Sequence, residues 1–147
     1  ARVAARLGWV FLEGDELHPA ANVAKMKSGR PLDDADRAPW LAAIAAWIDR
    51  QAAEKRAAVI ACSALKRRYR QVLTKGRPFV RIVYVEGQRE LIRARLEARK
   101  GHYFPPALLD SQFADLEPPG TDEHPIVVEA AQPLEAQVDE VVAAVGA

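Results

Sequence analysis

Four short apolar runs, at residues 9–12, 57–62, 80–85 and 126–129, each precede segments whose apolar residues recur at helical spacing. Runs of this length, rich in Val, Ile and aromatic residues, predict buried strands. Ahead of the first run, Val3 and Leu7 lie four apart and Gly8 follows, which reads as the end of a helix with a glycine cap. Residues 15–30 predict a loop and a short helix carrying Val23, Met26 and Lys27, stopped by Gly29 and Pro31. Asp33, Asp34 and Asp36 then place carboxylates where a helix macrodipole favours them. Trp40, Leu41, Ile44, Trp47 and Ile48 follow at i, i+4 and i+7, the strongest helical stripe in the chain. Pro39 is tolerable only in a first turn. Further helices are predicted over 64–75, stopped by Gly76, and over 88–100, 107–116 and 134–145, with a break at 101–106 and a loop at 117–123. Strands alternating with helices predict an α/β fold with a mainly parallel sheet.

At 147 residues the chain is long enough for one domain with a real core. Half of it is hydrophobic and 28% is charged, which excludes a disordered chain. The 21 basic and 20 acidic residues leave a net charge of +1, so no nucleic-acid or membrane partner is expected and any basic site must be local. The apolar runs are too short to span a bilayer, and no signal peptide is evident. The lone Cys62 excludes an internal disulfide and suits a reducing compartment, so a cytoplasmic location is expected. A homodimer is the commonest assembly for a soluble chain, and the sequence leaves that point open.

Candidate chemistry collects at the strand exits. Glu13-Gly14-Asp15 follows the first run, putting the Asp15 carboxylate at the carboxyl end of a strand, where open α/β sheets bind ligands. Asp15 either starts a turn or acts on a hydroxyl group, accepting its proton or orienting its oxygen. His18, before Pro19, is a turn residue or a ligand contact. Ser63-Ala64-Leu65-Lys66-Arg67-Arg68 follows the second run. Cations in a first helical turn are disfavoured by about 0.3–1 kcal/mol each, and a bound anion would reverse that effect. Ser63 is placed to cap this helix, and Lys66 is the cation expected to meet an anion. Arg37 is either a surface ion-pair member or a fork for a substrate carboxylate. Arg95 and Arg99 share a helix face ahead of the 101–106 break, either as solvated charges or on a lid that brings arginine to a phosphoryl group. Cys62 reads as a small buried hydrophobe. His102 and His124 lack the spacing of a metal site, so no metal ligand is assigned.

Several stretches, in this order, resemble the gluconate kinases of the carbohydrate-kinase branch of P-loop kinases, the thermoresistant gluconokinase type. They are Phe11-Leu12-Glu13-Gly14-Asp15-Glu16-Leu17-His18-Pro19, Asn22-Val23-Ala24-Lys25-Met26, Gly29-Arg30-Pro31-Leu32 and Asp34-Ala35-Asp36-Arg37-Ala38-Pro39-Trp40-Leu41. Cys62-Ser63-Ala64-Leu65-Lys66-Arg67-Arg68-Tyr69-Arg70, Arg99-Lys100-Gly101-His102-Tyr103-Phe104 and Leu108-Leu109-Asp110-Ser111-Gln112-Phe113 complete the set. The resemblance implies transfer of the ATP γ-phosphoryl group to the 6-hydroxyl of D-gluconate, with Mg2+. It implies a three-layer, shikimate-kinase-like fold around a five-stranded parallel sheet, as a single domain over 1–147 with a lid at about 99–120. Asp15 would be the catalytic residue, and His18, Arg37, Ser63 and Lys66 would bind substrate. Arg95, Arg99 and Gln132 would lie on the nucleotide side. None of the eight glycines is followed by Lys, so the G-x-x-x-x-G-K-[ST] phosphate loop is not among these residues. The first strand and that loop are expected ahead of Ala1, and these residues alone are expected to be inactive. The alternatives are a non-catalytic sugar-acid binder and a kinase for another small hydroxy acid such as shikimate.

Overall fold

The computed structural model describes residues 1–98 and 106–146. Its elements are α1 (Arg2–Leu7), β1 (Val10–Glu13), α2 (Ala20–Lys27), α3 (Asp34–Ala53), β2 (Ala58–Ala61) and α4 (Arg67–Thr74). β3 (Val83–Glu86), α5 (Arg89–Ala98), α6 (Pro106–Asp115), β4 (Ile126–Glu129) and α7 (Leu134–Ala144) complete the chain. Single 3-10 turns occupy Gly14–Leu17 and Thr121–Glu123. Both strand pairs are parallel: β1 runs beside β2 with Glu13 opposite Ala61, and β3 beside β4 with Glu86 opposite Glu129. The predicted alternation is therefore observed, and the exits of β1 and β2 lie on one rim.

α3 begins where its carboxylates direct. Asp33 accepts from the Asp36 backbone N–H at 2.7 Å, and the Asp36 carboxylate accepts from the Asp33 N–H at 3.0 Å. This reciprocal capping starts the helix at Asp34, so Pro39 stands beyond the first turn, inside the helix. Its ring removes the donor that would reach the Ala35 carbonyl. The apolar stripe offsets that loss: Trp40, Leu41, Ile44 and Ile48 are buried and pack with Tyr69 and Leu73 of α4. Gly14 packs closely against β2, where a Cβ would meet the Ala61 carbonyl oxygen at 2.5 Å.

Two boundaries depart from the sequence pattern. The helix expected over 64–75 starts only at Arg67, after an extended Lys66. The Arg70 guanidinium takes the Ala64 and Leu65 carbonyls at 3.0 and 3.1 Å, so they are not free to begin a helix. Ser63 therefore does not cap α4. Likewise β3 begins at Val83 rather than at residue 80, because the ladder starts only where Ile126 supplies a partner. Val80 packs instead against the α3–α4 cluster.

Among the described residues the two strand pairs are not hydrogen-bonded to each other. A cavity of about 1500 Å3 is walled by residues 57–65 of the β2 segment and 79–85 of the β3 segment. Successive strand residues point to opposite faces, so an unbroken run of lining residues marks strand edges rather than one sheet face. No described helix is long and apolar enough to cross a membrane.

The loop after α6 is tied to the segment after β2. The Glu117 N–H donates to the Leu65 carbonyl at 2.8 Å, and the Glu117 carboxylate accepts from the Arg67 N–H at 3.0 Å. Arg70, whose side chain is 3% exposed, forms a forked pair with Glu123 at 2.7 and 3.1 Å. The hydrogen bonds from Arg70 hold the Glu123 carboxyl below its usual range. A carboxyl with a lowered folded value contributes stability that is complete above about pH 4.5 and is lost as pH falls through the folded value. Glu123→Gln leaves a buried guanidinium without its counter-charge and should cost about 3 kcal/mol near pH 7. Urea denaturation should show that gap between variant and parent shrinking as pH falls below about 4.5.

Candidate functional site

The acidic rim residue Asp15 sits in the 3-10 turn after β1, its side chain 57% exposed. A small pocket of about 50 Å3 opens beside it, lined also by His18, Arg37, Trp40, Ser63 and Gln112. The structure thus brings four of the expected site residues, Asp15, His18, Arg37 and Ser63, around one space. The His18 side chain is 4% exposed and forms part of the pocket wall. Its ring stacks on the Trp40 indole with centroids 4.4 Å apart and planes 13° from parallel. Trp40 in turn donates its Nε1–H to the Gly14 carbonyl at 2.8 Å, fixing the start of the turn that carries Asp15. Burial lowers the His18 pKa, the nearby Asp15 charge partly raises it, and Arg37 lowers it further.

Arg37 is 6% exposed and forms no surface pair with the acidic start of its own helix. Its Nη1 donates to the Tyr69 hydroxyl at 2.8 Å and lies 3.3 Å from the Asp115 carboxylate. Tyr69 was not legible as a site residue, yet it joins both sides of this region. Its hydroxyl donates to Asp34, and the Arg37, Lys66 and Arg68 cations lie 5.2–5.8 Å from its ring centroid. That hydrogen bond from Tyr69, followed by the neighbouring cations, holds the Asp34 carboxyl below its usual range. Its sequence signals were an aromatic residue directly after a basic run and its place in one of the gluconokinase-like stretches.

Lys66 stands 3.7 Å from Asp34, beside the pocket rather than in its wall. The anion expected at the start of α4 is supplied by the chain itself. Glu117 accepts from the Arg67 N–H, Arg67 pairs with Asp122, and Arg68 pairs with Asp34. The unfavourable placement of cations in a first helical turn is thus relieved by carboxylates distant in sequence.

On the second strand pair, Arg95 of α5 donates to the Gln132 carbonyl at 3.4 Å, so these two expected nucleotide-side residues meet. Arg99 lies outside the described residues, as does His102. Cys62 packs against the α3–α4 cluster, and burial, then Asp15 and Glu13, push its thiol up to about 12. Among the described residues no group of three His, Cys, Asp or Glu side chains could hold a metal ion.

No protein-family model matches the chain. The gluconokinase of Gluconobacter oxydans (strain 621H) is 50% identical over 121 residues, covering 82% of this chain and 68% of that protein. The thermoresistant gluconokinase of Escherichia coli (strain K12) is 44% identical over 139 residues, 94% of this chain and 79% of that one. The crystal structure of a sugar kinase from Janibacter sp. HTCC2649, 42% identical, superposes with a TM-score of 0.89 over 96% of this chain and 82% of that one. Identity at this level, carried across most of both partners, with a matching fold, means that the chain belongs to the gluconokinase family.

Proposed function

We propose that this chain phosphorylates D-gluconate at its 6-hydroxyl, using ATP with Mg2+ as the phosphoryl source. The observation that carries this reading is the exposed Asp15 carboxylate on the rim of a pocket whose walls include His18, Arg37 and Ser63. A carboxylate so placed orients a sugar hydroxyl and takes its proton as the oxygen attacks phosphorus. Arg37 offers a guanidinium fork for the carboxylate of the sugar acid, and Lys66 a compact positive charge beside it. Ser63 supplies a hydroxyl for hydrogen bonding to the polyol. Arg95 and Gln132 are assigned to the nucleotide side, where the Arg95 guanidinium meets the Gln132 carbonyl. Kinase sites hold Mg2+ through one or two side chains plus substrate phosphates. Because the described residues gather no metal-binding cluster, no residue of this chain is assigned to that ion.

The cavity between β2 and β3 suits one further parallel strand and the phosphate-binding loop that follows it. The β2 and β3 segments wall it together with residues of α3, α6 and α7, and an added strand would join the two pairs into the five-stranded sheet. A location in the cytoplasm fits the lone thiol.

A coupled assay of the full gene product should show ATP-dependent turnover of gluconate. Turnover of shikimate or another hydroxy acid with none on gluconate would overturn the substrate assignment. Asp15→Asn should lower kcat by about 10²–10⁴-fold, with ATP affinity measured by calorimetry little changed. Lys66→Ala should raise the KM for gluconate and leave the KM for ATP near that of the parent. A defect confined to the nucleotide would move Lys66 to the other side of the site.

A further inference from the structure

His18 is poised by a residue to which neither the site pattern nor the proposed reaction gives a part. Asn22, one turn further along in α2, is 5% exposed and polar, in a chain whose core is otherwise mostly apolar. Its Nδ2 lies 2.8 Å from the Asp36 backbone carbonyl and 3.2 Å from His18 Nδ1. A carbonyl oxygen only accepts, so the Asn22 atom facing Asp36 must be the amide nitrogen. That nitrogen carries two protons. One goes to Asp36, and the other points to His18 Nδ1, which must then offer a lone pair. The His18 proton therefore resides on Nε2. Nε2 lies 3.9 Å from Asp15 Oδ1, on the side of the ring opposite Asn22.

We propose that Asn22 is a positioning residue that holds His18 in its neutral Nε2–H form, so that a proton donor rather than a full positive charge faces Asp15. This inference deepens the proposed reaction and rests on Asp15 serving there. At 3.9 Å the N–H is a dipole facing the Asp15 carboxylate rather than a hydrogen bond to it, so the carboxylate lone pairs stay open to the substrate hydroxyl. An imidazolium at the same place would form a stronger pair and compete with the proton that Asp15 is to take.

The surroundings act in the same direction. The ring is 4% exposed and stacked on Trp40, which restricts its rotation. The charged groups facing it are Asp15 from its own turn and Arg37 from α3. The Asp36 carboxylate is turned away, paired with Lys25 at 2.6 Å, and the remaining residues lining the pocket are uncharged. Of these influences only Asp15 favours protonation, and burial together with Arg37 opposes it.

Nitrogen-15 NMR of the imidazole rings in the full gene product tests this without substrate or nucleotide. His18 should show a protonated Nε2 and an unprotonated Nδ1 near pH 7, with a titration midpoint below the ordinary value of about 6.5. Asn22→Asp puts an acceptor where the amide donor stood. It should move the proton to Nδ1 and raise the midpoint by about one pH unit or more. A proton on Nδ1 in the parent protein, or an ordinary midpoint there, would overturn the proposal even if the variant fails to fold. An unchanged His18 spectrum in a folded Asn22→Asp protein would overturn it as well. The tautomer is read with no sugar acid present, so failure of gluconate as substrate leaves this result separate.

Discussion

The site depends on how closely the chain leaving β1 approaches β2. Gly14 has no Cβ, and one placed there would meet the Ala61 carbonyl oxygen at 2.5 Å. That absence lets the 3-10 turn lie directly against the neighbouring strand. Trp40 then reaches the Gly14 carbonyl from α3 and supports the His18 ring on its own face. One small residue and one large one therefore set the height and direction of Asp15. Both belong to the framework: Trp40 is 1% exposed, within the cluster that joins α3 to α4.

The basic side of the site is built differently, by mutual charge compensation. Four cations, Arg37, Lys66, Arg67 and Arg68, crowd the region between α3 and α4, and each has an acidic neighbour from a distant segment. Tyr69 accepts from one of these cations and donates to the carboxylate that serves two others. Such a network keeps positive charge concentrated near the rim without a bound anion. The loop at 117–123 is fastened to the segment after β2 as well, through Glu117 and the Arg67–Asp122 pair.

The sequence made the alternation of strands and helices legible because hydrophobic spacing is a local property. The stripe from Trp40 to Ile48 and the run at 126–129 are read directly from side-chain order. The start of α4 was not legible, since it is decided by the Arg70 side chain occupying the Ala64 and Leu65 carbonyls. The end of the apolar run at residue 80 gave no sign that β3 would begin only where Ile126 lies opposite. In the site, Asp15 was visible from its place after a strand and a glycine. Tyr69 and Asn22 were not, because their roles depend on partners such as Arg37, Asp34 and the Asp36 carbonyl. Trp40 was visible as core, but its stacking on His18 required the turn at Gly14 to bring the two rings together.

Cys62, at the exit of β2, carries a further consequence. With its ionisation pushed up to about 12, almost none of the sulfur is thiolate under physiological conditions. Peroxide, glutathione disulfide and alkylating reagents all require the ionised sulfur, so they find a poor nucleophile here. The strand end leading into Ser63 and Lys66 therefore carries a thiol of low nucleophilicity.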